Sequence, residues 1–175
     1  MNETLNTLLK RRSIRNYKDT PVESEKLEEI LKAGTYAATA SGKQSPTIVC
    51  ITNKDDLAKA EAINADVMGS AGAHPFYGAP CAILVLGDAD NKNTIYDGSL
   101  VMGNLMNAAA SLGLGSCWIH RAKETYERED GKELLKKWGL NGNYVGIGYC
   151  IVGYTDEKFM GDGPARKDGY VHYVK

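Results

Sequence analysis

Apolar residues recur every three or four positions in some stretches and run without interruption in others, and the two kinds of stretch alternate along the chain. Leu5, Leu8 and Leu9 share a face between Thr4 and Lys10, which predicts a short first helix. Leu27, Ile30, Leu31 and Ala33/Gly34 repeat at helical spacing and predict an amphipathic helix from Glu23 to about Ala38. After a polar loop the run Thr47 to Thr52 reads as a strand. Asn53 is placed to cap a helix from Lys54 to about Asp66, with Asp55 and Asp56 in the first turn where the helix dipole favours them. Small residues 69–73 and the segment HPFYGAP lead into a second strand, Cys81 to Leu86. Farther on, Tyr126, Leu134, Leu135 and Trp138 mark an amphipathic helix from about Glu124, with Gly139 as its stop. Val145 to Tyr154 is a long apolar strand, and the alternating tail Tyr170 to Val174 predicts a further strand at a sheet edge.

Between these elements lies the most apolar part of the chain, Asp97 to Arg121, with no charged side chain between its ends. Leu100, Val101, Met102, Leu105 and Met106, followed by Ala108-Ala109-Ala110, leave no continuous polar face, so this reads as a helix buried nearly all round. One domain of this size covers perhaps two sides of such a helix, and a second subunit is the natural cover for the rest. A turn at Gly113 and Gly115 then leads into a strand, Ser116 to Ile119. A membrane span is disfavoured because Ser99, Asn104, Asn107, Ser111 and glycines interrupt the segment.

Length and composition sharpen this picture without changing it. The 175 residues, 43% hydrophobic and 25% charged, suit a single domain over 1–175, and a net charge of −1 gives no general attraction for nucleic acid or a membrane. The polar N-terminus reaching Lys10-Arg11-Arg12 lacks a signal-peptide core, so a cytoplasmic location is expected. Cys50, Cys81, Cys117 and Cys150 each sit in an apolar run without a CxxC pair. They read as small core residues in neighbouring strands, with a four-cysteine metal or cluster site as the alternative.

Candidate chemistry is sparse. Arg11, Arg12 and Arg15 place three guanidiniums beside the Ser13 hydroxyl, and Arg166-Lys167 add charge near the end. Such a set either coats a solvated surface or gathers on a phosphate, which takes several cationic donors from different segments. His74 and His120 have no nucleophile at a triad spacing, and no carboxylate pair stands in an apolar setting. The Gly113-Leu114-Gly115 turn closes a helix where a dinucleotide fingerprint would open one, and no phosphate-binding P-loop motif exists. A cofactor-dependent redox enzyme would need none of these missing groups.

The ordered set RRSIRNY, TASGKQSP, HPFYGAP, GLGSCWI and PARKDG resembles the nitroreductase family of FMN-dependent oxidoreductases over almost the whole chain. The resemblance implies an α+β fold with a central, mostly antiparallel sheet flanked by helices, and an intertwined homodimer with FMN at its interface. It also implies ping-pong transfer from NADH or NADPH to a nitroaromatic, quinone or similar small oxidised acceptor; a non-enzymatic flavin-binding or storage protein on the same fold is the alternative. By position in the motifs, Arg11, Ser13 and Arg15, with Arg12 between them, match the N-terminal flavin motif, Arg11 at the phosphate and Arg15 near the pyrimidine edge. Arg166 and Lys167 match a basic pair that closes on the phosphate, while Thr39, Ala40, Ser41 and Gln44 fall in the loop set against the partner's flavin. Trp118, Ile119, His120 and Arg121 match the segment running along the flavin ring, and Asn64 a ring-contacting asparagine. Ala38, Gly42 and Ser45-Pro46 depart from the family loop, and His120-Arg121 stand where an acidic residue or glycine is common. Side chains there would face the acceptor and favour a small or anionic one.

Overall fold

Four of the apolar runs pair as strands β1 (Thr47–Ile51), β2 (Cys81–Asp88), β3 (Gly115–Ile119) and β4 (Tyr144–Gly153). A computed structural model of the chain describes residues 2–156, 158 and 163–175. The sheet order is β1-β2-β4-β3 and every strand pair is antiparallel. A bulge between Val85 and Leu86 shifts the β2–β4 register. Outside the strands, Ser13 forms a parallel bridge to Ser116, with Ile14 N–H donating to Ser116 O at 2.9 Å. The N-terminal basic segment is thereby fixed along the outer edge of β3.

Helices cover both faces: α2 (Ser24–Thr35) and α4 (Thr94–Ser111) on one, α3 (Lys54–Val67), α5 (Ala122–Glu127) and α6 (Glu129–Lys137) on the other. Ile83, Val85, Cys150 and Val152 pack against Ile30, Met102 and Leu105, while Leu84, Leu86, Tyr149 and Ile151 meet Ile63, Tyr126 and Leu134. Strands buried on both sides explain why their sequence is continuously apolar instead of alternating. The short α1 (Glu3–Lys10) contributes no buried residue.

Several expectations are met closely. Asn53 caps α3, its side chain accepting from Asp56 N–H at 3.0 Å. All four cysteines lie in strands, but Cys117 packs in the α3/α5/α6 core while Cys50, Cys81 and Cys150 face α2 and α4. The sheet itself therefore separates Cys117 from the other three, and the four-cysteine site does not form.

Two readings are corrected. The helix expected from Glu124 to Gly139 is two, because Arg128 is extended (ψ 152) and its guanidinium locks onto Asp130 at 3.0 and 2.8 Å, which starts a new helix. Tyr170 to Val174 form no strand and stand exposed: alternation alone supplies no hydrogen-bonding edge, and Ser13 already lies along β3. Helix α4 is buried along one side by Val101, Met102, Leu105 and Ala109, while Ile95, Tyr96 and Leu100 are more than half exposed at 63%, 72% and 52%, the side for which a second subunit is the expected cover. Within one chain its outer face is uncovered.

Candidate functional site

The edge of β3 draws together the residues singled out by chemistry. The Ser13–Ser116 bridge sets Arg11, Arg12 and Arg15 beside the strand that ends in Trp118 and Ile119. Arg12 Nη1 donates to Leu9 O at 2.8 Å and to Arg11 O at 2.7 Å, which folds its guanidinium back onto the chain. Two donors stay without a partner: Arg11 Nη1 and Arg12 Nε are both buried and unbonded. A buried donor left unpaired is costly, so this corner suits an acceptor that the described residues do not supply. The Arg11 guanidinium also reaches the sheet: burial pushes the Cys150 thiol up, and Arg11 pulls against that shift.

The tail returns to the same corner. A Cβ on Gly163 would lie 2.5 Å from Arg12 Cζ, so the backbone there passes directly against the guanidinium, and a side chain at 163 would have to shift it. Arg166 and Lys167 follow, both exposed, with Arg166 Nη2 donating to Pro164 O at 2.7 Å and Lys167 Nζ 5.5 Å from the Tyr170 ring centre. The segment that leads to the C-terminal basic pair thus passes the N-terminal cluster at Gly163 and Arg12. Ser13 and Arg15 are exposed beside them.

Past β3 the chain turns through His120 and Arg121 into α5. This turn lines a cleft of about 890 Å³ together with Trp118, Thr94 and the start of β4. Trp118 lies across β4 at Gly148, where any Cβ would come within 2.3 Å of Nε1, and that nitrogen is buried without a partner. The Trp118 and His120 rings are 5.7 Å apart and inclined by 31°. Arg121 adopts φ 72, a left-handed backbone that costs a non-glycine residue of order 1 kcal/mol and is held only where surroundings enforce it.

The enforcing residue is Asn64. It is fully buried, donates from Nδ2 to His120 O at 2.8 Å and accepts from Arg121 Nε at 3.1 Å. The motif match made it a ring-contacting asparagine; the structure engages both ends of its amide with the turn instead. Ile119 is buried in the core on the α3 side, so its side chain faces away from the cleft.

The loop carrying Thr39, Ala40, Ser41 and Gln44 sits apart. It makes a single turn of 3-10 helix over Ala40–Gly42, with Ser41 and Gln44 both at positive φ, and lines a separate cavity of about 580 Å³. Its position is set by the first turn of α4, where buried Asp97 accepts from Ala40 N–H at 2.9 Å. Sequence reasoning missed Asp97 as an anchor and Gly148 as the space for Trp118. An acid inside an otherwise uncharged helix was the available signal for the first; the second had none.

Comparison with known proteins fits this geometry. The model of the Nitroreductase family matches residues 8–154. An NADPH-flavin oxidoreductase of Vibrio harveyi is 31% identical over 167 residues, covering 90% of this chain and 68% of that protein. An FMN-dependent nitroreductase of Clostridium difficile superposes with a TM-score of 0.76 at 29% identity, covering 98% of this chain and 99% of the other. A Bacteroides fragilis nitroreductase crystallised with FMN has the same fold, with a TM-score of 0.92 at 24% identity and full coverage of both chains.

Proposed function

As the chain belongs to the nitroreductase family, we propose that it is an FMN-dependent oxidoreductase that takes reducing equivalents from NADH or NADPH and passes them, in ping-pong fashion, to a nitroaromatic, quinone or similar small oxidised acceptor. The observation that carries the reading is the pair of orphaned buried donors, Arg11 Nη1 and Arg12 Nε, at the corner where the tail passes Arg12 at Gly163. A phosphate supplies the charge and acceptor oxygens such donors require. When bound, FMN would supply two-electron redox chemistry at its ring. Arg11 and Arg12 would hold the phosphate, with Arg166 and Lys167 closing on it from the tail. Ser13 and Arg15 extend the same edge, and a cation at Arg15 would favour negative charge on a reduced ring. Trp118 and the His120–Arg121 turn form the wall of the cleft.

The site needs a second copy of the chain. Ile95, Tyr96 and Leu100 on α4 and Leu5, Leu8 and Leu9 on α1 are exposed apolar residues on one chain, suited to an extensive self-interface. In a homodimer the Thr39–Gln44 loop would be delivered to the partner's flavin. No helix among the described residues is long and apolar enough to cross a membrane.

The test is anaerobic reduction. Purified protein should carry yellow flavin absorption that bleaches on adding NADH or NADPH and returns on adding an acceptor from a nitroaromatic and quinone panel. Bound flavin that does not bleach would support a storage role, and protein that takes up no FMN would overturn both.

A further inference from the structure

We propose that Arg121, set by Asn64, reads an anionic group, a carboxylate or phosphate, on the small molecule that enters the cleft; this rests on the oxidoreductase reading of the same cleft. Asn64 accepts from Arg121 Nε at 3.1 Å and anchors the preceding carbonyl, His120 O, at 2.8 Å, so one buried amide fixes both the backbone and the side chain of the turn. The partner is neutral. An amide orients a guanidinium without offsetting its charge, whereas a carboxylate at the same place would cancel it. Arg121 forms no ion pair among the described residues, and its two terminal nitrogens are left as a fork.

The surroundings leave that charge available. Of the other charged groups along the cleft, Lys123 is paired with Glu127 at 2.6 Å and Lys132 with Glu129 at 2.7 Å. Glu124 lies on the same cleft and makes no ion pair with Arg121. His120 precedes Arg121 and its ring lies near that of Trp118, so two aromatic rings line the same cleft as the guanidinium. An aromatic molecule bearing a carboxylate suits that combination: the ring meets Trp118 and His120 while the carboxylate engages the fork. The strained φ of 72 at Arg121 supports a selected side chain, because glycine would adopt that backbone freely.

The FMN-loaded protein and two variants test this. Arg121→Gly suits the backbone, and Arg121→Gln keeps the length without the charge. Calorimetric titration with benzoate and with benzyl alcohol, in the absence of donor, should show benzoate preference falling about tenfold in both variants. The kcat/KM ratio of 4-nitrobenzoate to 4-nitrobenzyl alcohol should fall similarly. A fall instead in the NADPH-to-NADH ratio would assign the anion to the donor's ribose phosphate. Asn64→Ala, which keeps the guanidinium but releases it, should lower the benzoate preference about threefold; a merely structural Asn64 would weaken both ligands equally. Unchanged preference and unchanged ratios in both Arg121 variants overturn the proposal. If the parent protein binds FMN but is not reduced by NADH or NADPH, the oxidoreductase reading fails, and the benzoate titration still decides the role of Arg121.

Discussion

Asp97, buried in the first turn of α4, accepts a hydrogen bond from the Ala40 N–H at 2.9 Å across 57 positions of sequence. Ser45 Oγ and Asn91 Nδ2 approach its other oxygen at 3.4 Å each. One carboxylate thus ties the helix with the uncovered apolar face to the loop proposed for the partner's flavin. Asp97→Ala strands those donors and should cost about 2 kcal/mol in chemical denaturation, with loss of bound flavin. Full flavin content in a destabilised variant would separate the loop from the cofactor.

Two positions two residues apart, and so on opposite faces of α4, should behave differently. Met102 is fully buried against the sheet, so Met102→Glu places an uncompensated carboxyl in the core and should unfold the chain by more than about 3 kcal/mol. Leu100 is 52% exposed, and Leu100→Glu should leave a folded monomer, seen by sedimentation, that releases FMN. A dimer that keeps its flavin would mean α4 is not the interface.

Arg11→Ala removes a donor that has no partner among the described residues. FMN affinity should fall by about ten- to a hundredfold, as expected for a lost charge-assisted bond, while the flavin-free protein loses no stability. Flavin titration followed by thermal denaturation of apo protein checks both halves.

Gly148→Ala drives a methyl group into the Trp118 indole, where 2.3 Å separates an added Cβ from Nε1. The strain should cost about 1–3 kcal/mol and displace the indole from the cleft wall, changing tryptophan fluorescence and weakening acceptor binding together.

Asp56 joins α3 to α6, accepting from Lys137 Nζ and from Trp138 Nε1, the latter at 3.0 Å. The Lys137 hydrogen bond chiefly, then that of Trp138, holds its carboxyl below the ordinary value of 3.8. A depressed pKa contributes stability that is present above the unfolded value and lost as pH falls through the folded one. Asp56→Asn should therefore lower Tm at neutral pH and flatten its decline below about pH 4.

The strands and helices were legible because burial imprints period on sequence: β2 and β4 lie between two helical layers and are apolar throughout, and Asn53 caps α3 by a purely local bond. The basic motifs were visible as charge, but clustered guanidiniums alone do not distinguish a solvated surface from an anion site; the buried, unpaired Arg11 Nη1 and Arg12 Nε favour the second. The break at Arg128 was hidden because a bidentate pair with Asp130 outweighs helical periodicity on both sides. The Tyr170–Val174 tail alternates like a strand, yet strand formation depends on a free edge that no local pattern encodes.

By itself, then, the sequence determined the four main strands and most of the helices, which faces are apolar and which residues carry charge. Only the tertiary structure decided that Arg12 meets Gly163, that Asp97 holds Ala40, and that Asn64 holds the Arg121 turn. Those contacts join residues far apart in the chain through single hydrogen bonds or a few tenths of an ångström of clearance. Periodicity reports that a surface is covered; the particular atom that covers it depends on how whole elements pack.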